Sequence, residues 1–155
     1  MTVVLSDVEA TDLVVGILQN HNTSRENAVS VAKALVAAET DGQHGHGLSR
    51  VPSYAGQSAS GKVDGMANPM VVDRKQASIR IDAAGGFAFP ALDLAISELK
   101  SVIKQSGIAS AAIFHSHHFG QAGYHVERLA EQGLVAMVFG NSPQAIAPWG
   151  GSAGV

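Results

Sequence analysis

Five of the seven histidines fall in two short segments, His44 and His46 in QHGHGLSR and His115, His117 and His118 in FHSHHFG. An imidazole transfers protons near neutrality because its ordinary pKa is about 6.5. Each segment therefore offers a candidate acid or base. Arg50 follows His46 by four residues and Tyr54 follows Arg50 by four, so on a helix beginning near Gly47 all three would line one side. That side presents a proton, a fixed cation and a phenol. A guanidinium forks onto a carboxylate through two parallel hydrogen bonds, which suits a small organic acid.

Other chemistries are weighed against this one. His-x-His can offer two imidazoles to zinc, with a third ligand from His118, Asp41 or the other cluster, and metal-dependent hydrolysis is the alternative this raises. Neither cluster carries HExxH, the tripeptide around Ser116 lacks a following aspartate, and no metal ligand set is assigned. Thiolate chemistry and disulfides are excluded by the absence of cysteine. Neither GxGxxG after a strand nor GxxxxGK[ST] is present to cradle phosphates. The closing FGNSPQAIAPWGGSAGV passes from apolar residues to a polar turn at Asn141, Ser142 and Pro143 and then to paired glycines, where backbone can approach a ligand.

These residues need elements to position them. Ser6 and Glu9 fit a capping box, and Ala10, Leu13, Val14, Ile17 and Leu18 then recur on one helical face. After Ser24 the residues Ala28, Val31, Ala32, Leu35 and Val36 repeat the spacing, so a helical hairpin is expected over the first forty residues. Leu48 to Ser58 has room for a shorter helix. Met70 to Val72 and Ala77 to Asp82 read as a strand hairpin, and a helix entered at Pro90 should run to Gly107. Ile108 to Phe114 and Leu134 to Phe139 read as interior strands on either side of a helix from about Gln121 to Gln132, capped by Gly133. This order predicts an α/β (α+β mixed) fold with helices packed on a mixed sheet.

Composition narrows the function. The chain has 155 residues, 46% hydrophobic and 15% charged, with a formal net charge of −3. That balance builds a globular core and supplies no basic field for nucleic acid or an anionic membrane. No apolar run reaches the roughly 18 residues that span a bilayer, and the first residues lack the pattern of a secretory signal, so a cytoplasmic location is the default expectation.

Four ordered segments, DGQHGHGLSRVPSY, GKVDGMANP, SHHFGQAGYHVERLAEQGL and FGNSPQAIAPWGG, resemble the malate/L-lactate dehydrogenase family of NAD(P)-dependent 2-hydroxyacid oxidoreductases. The resemblance implies a non-Rossmann fold, in keeping with the missing GxGxxG. Its first motif falls on His46, Gly47, Arg50 and Tyr54, with the family's serine replaced by Gly45. Its second falls on His118, Phe119 and Gly120, with the family's asparagine replaced by His117. The resemblance implies that His46 and His118 carry the acid/base role, one donating and the other orienting. It also implies that Arg50 and Tyr54 hold the acid, and that Ser142 meets an NAD or NADP cofactor.

Hydride would pass between the nicotinamide and C2 of a small 2-hydroxy or 2-oxo acid while an imidazole moves the proton on the attached oxygen. Residues 1–69 would form a helical catalytic domain, and 70–155 the first part of a cofactor-binding sheet domain. Family members are considerably longer, so the chain is expected to be a truncated N-terminal portion with little or no activity alone. An inactive binding module is the remaining alternative, and a homodimer is the expected assembly.

Overall fold

Ser6 caps the first helix as its spacing predicts: its hydroxyl accepts from Glu9 N, and the Glu9 carboxylate accepts from Ser6 N at 2.9 Å. Helix α1 spans Asp7–Gln19, and α2 spans Arg25–Thr40 behind its own N-cap, Ser24. The computed structural model describes residues 4–141, 144 and 147–154. The two helices pack as a hairpin. On α2 the expected face is buried throughout, whereas on α1 Leu13 is 54% exposed and the buried stripe runs through Ala10, Val14 and Leu18. Leu13 lies beside the narrow seam that α1 shares with its neighbours.

Two single turns of 3-10 helix, His44–His46 and Leu48–Arg50, lead into α3, Val51–Ala59. The helix expected to begin near Gly47 therefore starts later, and only Tyr54 of the three chemical residues lies on it. Val14, Leu18, Val31, Leu35, Tyr54 and Phe89 belong to the first core, so α1, α2 and α3 close on Phe87 and Phe89.

Strands β1 (Met70–Lys75) and β2 (Ser78–Asp82) pair antiparallel around a turn at Gln76 and Ala77, with an irregularity between Val71 and Asp73. Helix α4, Ala88–Ser106, carries Pro90 in its first turn and ends at Gly107, whose φ of 72° is the left-handed cap a glycine adopts freely. Strand β3 (Ser110–Phe114) then pairs parallel to β2, giving the mixed sheet order β1-β2-β3. Ile79, Ile81, Ala91 and Ala95 form a second core between sheet and helix. Helix α5 spans Ala122–Ala130, followed by Gly133 with φ 76°.

One predicted strand is absent. Leu134 to Phe139 joins no ladder among the described residues. Its residues alternate as in a strand, Leu134, Ala136 and Val138 half-buried, while Val135, Met137 and Phe139 stand 97%, 78% and 86% exposed. An apolar run has the composition of an interior strand, but becomes one only when a neighbour takes up its amides and carbonyls.

Candidate active site

The turn carrying His46 is clasped by Glu39 at the end of α2. Glu39 Oε2 accepts from Leu48 N at 2.8 Å, and Oε1 meets His44 Nδ1 at 2.6 Å. Gly47 is required here: a Cβ at this position would fall on Glu39 Oε2 and lie 3.0 Å from Glu39 Cα. His44 is thereby engaged at the rim, and His46 is left to face inward.

The second histidine segment leaves the end of β3 through a strained residue. His115 has φ 50°, a left-handed conformation uncommon for a side-chain-bearing residue, held by Gly85 N donating to His115 O at 2.8 Å and by His115 Nδ1 meeting Asp82 Oδ1 at 3.1 Å. This reversal sends His117 and His118 back over α3. Gly120, with φ 71°, turns the chain again into α5.

There the segments meet. The His46 and His118 rings stack with centroids 5.6 Å apart and planes inclined by 6°. Tyr54 Oη lies 2.9 Å from His118 Nδ1, and Gly120 N donates to the same nitrogen at 3.2 Å. An N–H can only donate, so Nδ1 is an acceptor, the phenol donates to it, and the neutral ring carries its proton on Nε2. Among the described residues no protein group bonds to that Nε2. Burial, then the Arg50 guanidinium, then the His46 ring hold His118 below the ordinary histidine pKa.

Tyr54 is 2% exposed, and burial pushes its phenol up to about 12 against the opposing pull of Arg50, so it stays protonated. Arg50 is exposed, and its Nε donates to Gly45 O at 2.5 Å. That bond fixes the plane of the guanidinium, and no acceptor engages its Nη nitrogens among the described residues. The space above Gly45 is open, with nothing within 4 Å of a Cβ placed there.

His46, His118, Arg50 and Tyr54 are thus brought together, while Ser142 lies outside the described residues. No group of three histidine or carboxylate side chains is placed to share a metal ion among the described residues. Three contributors were not singled out from sequence. Glu39 clasps the His46 turn, Gln57 accepts from His117 Nε2 at 2.7 Å, and the buried His125 donates Nε2–H to Phe119 O at 2.8 Å. Gln57 follows Tyr54 by three helical positions, which was the one available signal. Gln121 donates Nε2–H to Asp41 Oδ2 at 2.8 Å, leaving its buried Oε1 without a partner.

Known proteins share this sequence and fold. The chain is 45% identical over 151 residues to the (2R)-3-sulfolactate dehydrogenase (NADP(+)) of Chromohalobacter salexigens, an alignment covering 97% of this chain and 45% of that protein. It is 43% identical over 142 residues to the Δ1-pyrroline-2-carboxylate/Δ1-piperideine-2-carboxylate reductase of Pseudomonas putida, covering 92% and 42%. The crystal structure of Δ1-piperideine-2-carboxylate reductase from Pseudomonas syringae pvar. tomato superimposes with a TM-score of 0.81 at 43% identity, over 85% of this chain and 40% of that one. The chain spans less than half the length of these relatives. A sequence model of the family matches residues 5–155, and the chain belongs to the malate/L-lactate dehydrogenase family.

Proposed function

We propose that this chain supplies the proton-transfer and carboxylate-binding half of an NAD(P)-dependent oxidoreductase acting at C2 of small 2-hydroxy or 2-oxo acids. The observation that carries the reading is His118, stacked on His46, bonded through Nδ1 to a buried phenol and free at Nε2, with Arg50 beside it.

A bound nicotinamide supplies or accepts the hydride at C2. The residues present fit its carboxamide end. Gln121 has a buried acceptor without a partner among the described residues, as an amide N–H would satisfy; the family resemblance implies the same end of the cofactor for Ser142.

The chain's own groups divide the remaining work. Arg50 receives the substrate carboxylate on its Nη pair and so fixes C2 relative to the imidazoles. In the reduction direction the charged His118 ring donates its Nε2 proton to the oxygen on C2 and is left neutral with its remaining proton on Nδ1; in oxidation Nε2 takes the proton back from that tautomer, so the resting Nε2–H ring first moves its proton to Nδ1. Tyr54 Oη serves Nδ1 in either form, donating to it while it is bare, as in the resting ring, and accepting from it once it carries a proton. The parallel ring of His46 holds the plane of His118 and discourages its protonation. Arg50, His46, His117 and Tyr54 are the charged or titratable groups around it.

The pyrroline-carboxylate reductases among the relatives favour one second substrate class, a cyclic acid with C=N at C2 in place of C=O. Both classes present a carboxylate next to an electrophilic carbon. A cytoplasmic homodimer is the setting that the family resemblance implies.

The test is steady-state oxidation of NADPH and NADH by the intact enzyme with 2-oxo acids and with cyclic 2-imino acids. Turnover that disappears in His118→Ala supports the reading. Wild-type rates in both His118→Ala and His46→Ala refute it.

A further inference from the structure

His117 and His118 are neighbours in sequence, yet each docks on a different residue of α3. Tyr54 Oη meets His118 Nδ1 at 2.9 Å, and Gln57 Oε1 accepts from His117 Nε2 at 2.7 Å. Positions three apart share a helix face, so one side of α3 receives both rings. The Gln57 amide is itself held by its Nε2 donating to Ser53 Oγ at 3.0 Å on the preceding turn.

The His117 ring also stands edge-on to Tyr54, with centroids 5.5 Å apart and planes at 83°, and edge-on to Phe87 at 6.4 Å and 87°. His117 therefore touches the same phenol that binds His118. Its main-chain N–H donates to Gly86 O at 3.2 Å, which ties this point of the loop to the turn after β2. Residues 115–121 belong to no helix or strand and are bounded by left-handed His115 and Gly120. A loop without a ladder of its own depends on side-chain anchors: His115 on Asp82 and Gln121 on Asp41 hold its two ends, and the His117–Gln57 pair is the anchor adjacent to His118.

We propose that Gln57 and His117 are positioning residues for His118: their hydrogen bond sets the rotation of the 115–121 loop on α3 and so keeps His118 Nδ1 on the Tyr54 hydroxyl. The proposal rests on the reading of His118 as the proton-transfer group. Among the described residues His117 Nδ1 is buried with no partner, and the Gln57 acceptor is the one side-chain hydrogen bond the ring makes. Losing it would leave both ring nitrogens unpaired in a half-buried place, and the ring would turn toward water, carrying His118 with it.

The experiment compares Gln57→Leu, which removes the acceptor at similar size, with Gln57→Glu, which keeps it, in the intact enzyme. Gln57→Leu should lower kcat by about tenfold to a hundredfold with little change in KM, as for a displaced catalytic group. NMR titration of the His118 ring without cofactor should show its pKa rising toward the ordinary value as burial is lost. Gln57→Glu should retain kcat at pH 8, where both rings are neutral. Unchanged turnover in Gln57→Leu overturns the proposal. So does reduced turnover with an unaltered His118 titration, which is the signature of a merely structural role. Normal turnover in His118→Ala would defeat the functional reading alone, since the titration in Gln57→Leu still reports whether His118 is held by this pair.

Discussion

The rings of His46 and His118 lie parallel within 6° and 5.6 Å apart, although one comes from a 3-10 turn after α2 and the other from the loop after β3. Two imidazoles so placed cannot both be charged at low cost, and of the two, among the described residues, only His118 has a protein group bonded to a ring nitrogen. The roles of donor and orienter separate on this asymmetry. His118→Ala should lose on the order of a hundredfold or more in kcat, the contribution of a general acid or base. His46→Phe keeps a flat ring against His118 and should retain most activity, whereas His46→Ala should not. Equal, severe losses in both His46 variants would make His46 a proton carrier instead.

The direction of the His118 shift fixes the pH dependence of the rate. Its pKa is lowered by burial, Arg50 and His46, so the ring is neutral at pH 7, and in its Nδ1–H tautomer it accepts a proton at Nε2. Oxidation of a 2-hydroxy acid should rise with pH and level off, with kcat/KM at half its plateau below the ordinary 6.5. Reduction should instead be favoured on the acid side. An oxidation profile centred above 6.5 would contradict the environment described for His118.

Stability follows the same sign. His117, His118 and His125 all have lowered pKa values, burial being the largest cause in each. In the unfolded chain they protonate near 6.5, so below that pH the unfolded state binds more protons than the folded one. Their stability contribution is complete above about 6.5 and is lost progressively as pH falls from there through their lowered folded-state pKa values. Tm measured from pH 8 down to pH 5 should stay level and then decline, and His125→Gln should flatten part of that decline.

At Arg50 the fork geometry makes a specific claim. Arg50→Lys keeps the charge but cannot offer two parallel donors or the Nε bond to Gly45 O, so KM for the acid should rise several-fold with a smaller change in kcat. Gly45→Ser adds a side chain where nothing lies within 4 Å, so its effect on stability should stay within about 0.5 kcal/mol. Any change it makes should appear in substrate binding. An Arg50→Lys enzyme with wild-type KM would remove the carboxylate from this site.

Gly47 gives a purely structural test. A methyl group there collides with the Glu39 carboxylate and main chain, so Gly47→Ala should cost about 1–3 kcal/mol and loosen the turn carrying His46. Urea denaturation would measure the cost, and an unchanged midpoint would show that the clasp can shift without penalty.

Most of the helices were legible because each advertises itself locally: Ser6 and Glu9 mark one start, Ser24 another, and Gly107 a stop. The β1-β2 hairpin was legible too, as two short runs around a turn. The run from Leu134 to Phe139 was misread because its apolar residues specify an affinity for a partner strand without naming one. At the candidate site, residue type and spacing brought forward His46, Arg50 and Tyr54 and the cluster of His115, His117 and His118, and the family resemblance alone singled out His118. Their geometry could not, because the helix expected at Gly47 begins instead at Val51, after two tighter turns.

By itself the sequence determined the inventory, two clusters of imidazoles, a guanidinium and a phenol, and most of the local elements that carry them, because capping and periodicity act over a few residues. Only the tertiary structure decided which nitrogen of His118 is occupied, that Tyr54 serves the imidazole, and that Gln57 takes His117. Those relations join α3 to a loop some sixty residues away. Contacts across such a distance are set by how the cores of the helices and the sheet close on each other, which no local spacing encodes.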